Sequence, residues 1–219
     1  MDRIRRLLLC ALASTSVGCS LRTFAVNTVG DALASGNSVY ESDSDIDLVG
    51  AALPFGLKLT ESLLAQSPKH GGLLLTACRG FTMYSYAFVA DEAERLTDVD
   101  LDRARALRLR ARRLYLRAAE YGFRALEVKH PGFEHALTMD PRGAVKRIAA
   151  KSPARNVPLL YWTAAALGLA ASVAIDDAAL LARLPEVEAM LDRALELDEA
   201  WDDGALYEFK LIAAGARSG

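Results

Sequence analysis

Residues that carry chemistry are scarce in this chain. There are three cysteines and three histidines in 219 residues. No Gly-rich phosphate loop, no Gly-x-Ser-x-Gly elbow and no His-Glu-x-x-His pair occurs. Phosphate cradling, elbow-type nucleophilic catalysis and zinc-dependent hydrolysis each use one of those patterns. No catalytic residue is therefore assigned, and the chain is read as a non-enzyme. Metal ligands fare no better. His130, Glu134 and His135 cluster around Pro131 and Gly132, but two ligands on one helical face would stand three or four positions apart. Asp43, Asp45 and Asp47 open like a calcium loop, which needs Gly at its sixth position and Glu at its twelfth. Leu48 and Pro54 occupy those positions. No metal and no cofactor is expected, and Asp45 or Asp47 reads as a helix cap. Runs of alternating β-branched and aromatic residues are missing too, which argues against a sheet. A net charge of −2 gives no overall pull toward a polyanion. No apolar run beyond Cys19 is read as membrane-spanning; the richest, Leu159 to Ile175, is alanine-heavy and interrupted by Trp162, Thr163 and Ser172.

What is present begins at the N-terminus. Arg3, Arg5 and Arg6 precede an apolar stretch from Leu7 to Ala13, and Ser16-Val17-Gly18 leads into Cys19. This is the layout of a secretory signal, too short for a transmembrane anchor. A Cys directly after small residues resembles the bacterial lipobox, although Ser16 stands where leucine is usual. The resemblance implies cleavage before Cys19 and lipid attachment to it, which places the chain on the outer side of a bacterial inner membrane or on the outer membrane. Nucleic acid is disfavoured as a partner on the same ground. Residues 1–18 are read as the signal, 19–46 as a lipid-anchored segment and 47–219 as the folded domain. Cys10 leaves with the signal and an acylated Cys19 cannot pair, so no intrachain disulfide is expected. Cys78, among Leu73, Leu74, Leu75, Ala77 and Phe81, reads as a small buried hydrophobe.

From Asp47 onward the pattern is helical. Leu48, Ala52, Phe55, Leu59 and Leu63 recur at spacings of three and four, with Pro54 inside the run. Further helices are expected from Leu73 to about Glu94, from Leu101 to Val128, over Phe133 to Leu137, from Pro141 to Ala150, from Leu159 to Val173, from Pro185 to Leu197 and from Asp203 to Ala213. Pro153 and Pro158 read as punctuation before the Leu159 helix. The fold class is all-α, built from antiparallel helix pairs. Ala194-Leu195-Glu196-Leu197-Asp198 resembles the end of a tetratricopeptide helix, with an echo at Ala125-Leu126-Glu127. Such units cannot bury their faces alone and stack into a curved layer.

Two surfaces stand out. Arg103, Arg110, Arg113, Arg117 and Arg124 share one stripe of the long helix, beside the apolar stripe of Ala104, Leu107, Ala111, Leu114, Ala118, Tyr121 and Ala125. A solvated face with intrahelical pairs explains such a stripe, and so does a docking surface for an acidic partner or anionic headgroups. Tyr84, Tyr86, Tyr161 and Trp162 read either as helix-seam packing or as the aromatic lining of a ligand groove.

Several segments together carry a family resemblance. They are Ala52-Leu53-Pro54-Phe55-Gly56-Leu57-Lys58, Pro131-Gly132-Phe133, Asn156-Val157-Pro158-Leu159-Leu160-Tyr161-Trp162 and Leu195-Glu196-Leu197-Asp198-Glu199-Ala200-Trp201-Asp202-Asp203-Gly204. In this order and spacing they resemble the T-component family associated with tripartite ATP-independent periplasmic (TRAP) transporters. The resemblance implies a lipid-anchored periplasmic protein, self-association as a trimer, and partnership with a TRAP substrate-binding protein whose ligand it holds or passes on. It also implies further helix pairs beyond Phe209, so this chain is expected to be short at its C-terminus. A general scaffold lipoprotein of cell-envelope assembly is the alternative function.

Overall fold

The structure, a computed structural model, describes residues 25–35, 40, 42–150 and 152–215. Cys19 and the 1–18 signal lie outside the described residues. Helical residues 25–35 form α1. There follow α2 (Ile46–Gln66), α3 (Gly71–Tyr84), a π-helical turn (Ser85–Ala90), α4 (Asp91–Arg95) and α5 (Leu101–Lys129). Next come α6 (Phe133–Met139), α7 (Pro141–Lys146), α8 (Pro153–Ser172), α9 (Ala178–Leu181), α10 (Leu184–Leu197), a 3₁₀ turn (Trp201–Gly204) and α11 (Ala205–Gly215). No strand occurs among the described residues, and the chain is all-α with its helices packed on one another.

Aspartates start many of these helices. The side chain of Asp45 accepts from the Leu48 N–H at 2.9 Å, that of Asp100 from Arg103 at 3.0 Å, and that of Asp140 from Gly143 at 3.0 Å. Each satisfies an amide that the first turn leaves without a helical partner. At Gly132 the chain takes a left-handed turn, with φ at 76°. Glu127 then reaches forward, and its carboxylate accepts from the Gly132 and Glu134 amides at 2.8 Å each, closing the α5–α6 corner.

Two helix expectations are corrected. Pro158 lies inside α8, which starts at Pro153. Pro153 holds the favoured first position, whereas Pro158 is the sixth residue and leaves the helix without one ladder bond at that point. The stretch expected as one helix to Glu94 changes pitch at Ser85–Ala90. There the Thr82 and Ser85 hydroxyls donate to the Cys78 and Phe81 carbonyls at 2.8 and 2.6 Å. Hydroxyls taking up backbone carbonyls loosen the regular ladder.

The helices pack in chain order, α2 on α3, α3 on α5, α5 on α8 and α8 on α10. Short connections such as 67–70 make neighbours run antiparallel. α3 also touches α8, so α3, α5 and α8 form a triangle. Small buried residues are frequent on these helices, among them Ala77, Cys78, Ala118, Thr163, Ala164 and Ala166, and Gly122 of α5 meets Cys78 of α3 and Thr163 of α8. At Gly122 a Cβ would come within 3.0 Å of Cys78 Sγ and closer still to Thr163 Oγ1. Cys78 is wholly buried, and that burial pushes its thiol up to about 12. The buried thiol fills the crossing as a small apolar group, as expected from its neighbours.

α2 is the outer layer. It is 21 residues long, its most apolar 18-residue stretch has a mean hydropathy of 1.3, and by length and composition alone it is long and apolar enough to cross a membrane. The sequence reading took no run beyond Cys19 as membrane-spanning, and by this measure α2 departs from it, with Pro54 inside the helix. The helix packs on α3 along one side only, leaving Leu48 56%, Phe55 74% and Leu59 38% exposed. Its inner side is fixed to α5 by Glu61. That carboxylate accepts from Lys58 and from the Tyr121 hydroxyl at 2.7 Å each, and pairs with Arg117. Burial pushes the Glu61 carboxyl up, but the hydrogen bonds from Lys58 and Tyr121 and the charge of Arg117 outweigh it and hold the group below its ordinary value of 4.5.

Gly122→Ala should lower the urea midpoint. Overpacking a tight crossing costs about 1–3 kcal/mol, and it outweighs the gain of about 1 kcal/mol that alanine brings to an ordinary helix site. A raised midpoint would show that the crossing has slack. The Glu61 network adds stability that is complete above pH 4.5 and fades as pH falls through the lowered value in the folded chain. Acid unfolding of Glu61→Gln, followed by circular dichroism, should therefore show a shallower loss between pH 4.5 and lower pH than the parent.

Candidate functional site

The π turn splits two tyrosines that sit two positions apart. Residues so spaced on a helix point to opposite sides. Tyr84 turns toward α5, stacks on Phe88 with centroids 5.7 Å apart, and accepts a hydrogen bond from Arg110 at 3.2 Å. Tyr86 turns the other way, is 58% exposed, and borders two apolar hollows.

The first hollow, about 300 Å³, lies between α2 and α3. Ile46, Val49, Leu53, Arg79, Met83 and Tyr86 are among the residues that line it. The second, about 290 Å³, lies between α3, α8 and α11, with Met83, Tyr86, Tyr161, Trp162, Leu169 and Phe209 on its walls. Met83 and Tyr86 are common to both, so the two form adjoining parts of one groove. Each hollow is at the small end of ligand sites, and the two together fall within that range.

Tyr161 organises the second hollow. Its ring meets Trp162 at 4.9 Å, Trp201 at 4.8 Å and Phe209 at 6.0 Å. The 3₁₀ turn brings Trp201 there through consecutive left-handed residues, Asp202 at φ 51°, Asp203 at 53° and Gly204 at 95°. Left-handed aspartates are uncommon and carry strain. Of the four aromatics that the sequence offered either as helix-seam packing or as a groove lining, Tyr86, Tyr161 and Trp162 come together at the second hollow. Tyr84 lines neither hollow. Met83 and Phe209 also line the second hollow and Arg79 the first; the helical spacing of Arg79, Met83 and Tyr86, four and three positions apart, was the available signal.

The arginine stripe divides into inner and outer members. Arg117 pairs with Glu61 and lies 4.8 Å over the Phe81 ring. Arg124 covers Tyr121 at 5.2 Å and donates to the Pro68 carbonyl at 3.2 Å. Arg110 is exposed but leans on Tyr84. Arg103 and Arg113 are exposed, and among the described residues no ion pair reaches them. On the far side of α5, Arg112 pairs with Asp177, and Arg108 donates to Thr97 at 2.5 Å. The helix therefore spends much of its positive charge on its neighbours.

The calcium-like acidic run and the His130 cluster form no metal-holding group among the described residues. Asp43 and Asp45 serve local backbone hydrogen bonds instead. Burial lowers the His130 imidazole, with Lys129 and Arg147 adding to the effect.

Comparison with known proteins fits this architecture. The model of the TRAP transporter T-component family matches residues 42–218. An uncharacterized protein of Treponema pallidum (strain Nichols) is 30% identical over 227 residues, which cover 96% of this chain and 68% of that protein. The chain belongs to the TRAP transporter T-component family, and with it to an accessory role in TRAP transport in the bacterial envelope.

Proposed function

We propose that the protein is a lipid-anchored periplasmic accessory component that docks the substrate-binding protein of its transport system and holds that protein's ligand. The observation that carries this reading is the two-part apolar groove that Tyr86, Tyr161 and Trp162 share, on a chain of this family. Carbon-lined hollows with aromatic walls are the common form of a small-molecule site. Cys19 is the anchor. Arg103, Arg110 and Arg113 are the docking surface for an acidic partner, since Arg117 and Arg124 are committed to holding α5 against its neighbours. The helix pairs form a tetratricopeptide-like stack, and the open apolar side of α2 is the surface for assembly into a trimer.

Cys19→Ser should move the protein from the membrane fraction to the soluble one. Full retention of that variant in membranes would remove the lipid anchor from the reading. The soluble variant, mixed with the transport system's substrate-binding protein and weighed by native mass spectrometry, should form a trimer that takes up the partner. Adding Arg103→Glu and Arg113→Glu should weaken that complex at least tenfold with helicity unchanged. Undiminished binding would return the stripe to an ordinary solvated face.

A further inference from the structure

Because neighbouring helices run antiparallel, their connections gather at two ends of the molecule. At the first end the α2–α3 corner meets α5, where Arg124 donates to the Pro68 carbonyl at 3.2 Å. Lys129, the last residue of α5, reaches the first turn of α8 and donates to the Arg155 carbonyl at 3.3 Å. Arg147, which follows α7, reaches the Pro131 carbonyl between α5 and α6 at 3.5 Å. At the second end Phe88 of the π turn lies against Gly50 of α2. There Glu94 of α4 pairs with Arg108, and Asp177 pairs with Arg112.

The two ends differ in charge. At the second, Arg95, Arg105, Arg108 and Arg112 each pair with a carboxylate, and Asp45, Asp47, Glu92, Asp98 and Asp100 add negative charge. At the first, Lys69, Lys129, Arg147 and Arg155 are exposed, and among the described residues no ion pair reaches them. Carbonyl partners leave their charge uncancelled. Nearby carboxylates are engaged elsewhere: Glu127 on the Gly132 and Glu134 amides, Asp140 on the Gly143 amide, and Glu134 beside Arg183 at 3.9 Å. The cations also act on one another. Burial of part of Lys129, and then the charge of Arg155, lower its ammonium. An anion set against such a cluster relieves the repulsion within it.

The lipidated N-terminus arrives at this basic end, so the inference rests on the lipid-anchored reading above. α1 packs on the α2–α3 corner. The Ser67 hydroxyl donates to the Asn27 side-chain carbonyl at 2.8 Å, His70 Nε2 lies 3.3 Å from the Asn27 backbone carbonyl, and Gly30 is buried against Leu73. Six residues separate Cys19 from Ala25, and at full extension they reach about 20 Å. A lipid on Cys19 therefore keeps the corner close to the headgroups. A net charge of −2 does not draw the whole chain to an anionic surface. Salt screens charges beyond about 8 Å, so the end that faces the surface decides the attraction.

We propose that the end carrying the α2–α3 corner lies on an anionic phospholipid surface, with Lys69, Lys129, Arg147 and Arg155 against its headgroups and the acidic end pointing away from the membrane. The lipid holds the chain to the bilayer, and the cations set its orientation.

The test uses the mature chain carrying Cys19→Ser, to which no lipid contributes. It is sedimented at low salt with vesicles of phosphatidylcholine alone, or of phosphatidylcholine and phosphatidylglycerol in equal parts. At least tenfold more protein should travel with the mixed vesicles, and the difference should close as salt rises. Lys129→Gln, Arg147→Gln and Arg155→Gln together should weaken binding to the mixed vesicles at least tenfold. Arg95→Gln, Arg105→Gln and Arg108→Gln together remove the same charge from the acidic end and should leave binding unchanged. Circular dichroism checks that both variants fold. Should the first set fail to fold, the lipid and salt dependence of the parent, with the second set, decides. Equal sedimentation with the two kinds of vesicle, sedimentation with neither, or equal loss in the two variant sets would overturn the proposal. The anchor is read separately. A cationic patch alone binds reversibly and weakens at physiological salt, so release of Cys19→Ser in cell fractionation still reports the lipid.

Discussion

Three helices meet where none of them has room for a side chain of ordinary size. α3, α5 and α8 cross at Cys78, Gly122 and Thr163, and a single added methyl at Gly122 would collide with both partners. Interiors this dense are close-packed, so their small residues set how near the helices come. The Thr163 hydroxyl is turned back onto the Leu159 carbonyl at 2.6 Å, which satisfies it without widening the gap. The remaining helices are added on either side of this triangle. α2 is laid against α3, and α10 against α8.

The groove lies beside that crossing. Met83, Tyr86, Tyr161 and Trp162 line the furrow between α3 and α8. The π turn at Ser85–Ala90 then directs Tyr84 to the α5 side and Tyr86 to the furrow. The left-handed turn at Asp202 and Asp203 follows Trp201, whose ring packs on Tyr161 of the furrow wall. Two local departures from regular helix thus border one cavity, and strained backbone often gathers at functional sites. The arginines of α5 serve the opposite side of the triangle, where Arg117 and Arg124 bind α2 and the start of α3 through Glu61 and the Pro68 carbonyl.

Much of this was legible in the residues. Spacings of three and four gave the helices, aspartates gave their starts, and the apolar neighbours of Cys78 gave its burial. Boundaries set by proline were harder to read. Pro158 looks like a stop in sequence but lies inside a helix whose first position, where a missing N–H matters least, is held by Pro153. The π turn left no periodic signature, because it depends on where the Thr82 and Ser85 hydroxyls find carbonyls. The arginine stripe was visible as a stripe, yet its division into inner and outer members depends on where Glu61 and Tyr84 arrive from other helices.

By itself, then, the sequence determined an all-α chain, its family, many of its helix starts and the set of aromatics available for a site. Those properties depend on neighbours a few positions away, or on a pattern that survives without three-dimensional knowledge. Only the tertiary structure decided which tyrosine faces the groove, which arginines remain outside, and that Arg79 stands over Trp162. Each of these is a contact between residues distant in the chain, fixed by how closely α3, α5 and α8 approach at Gly122.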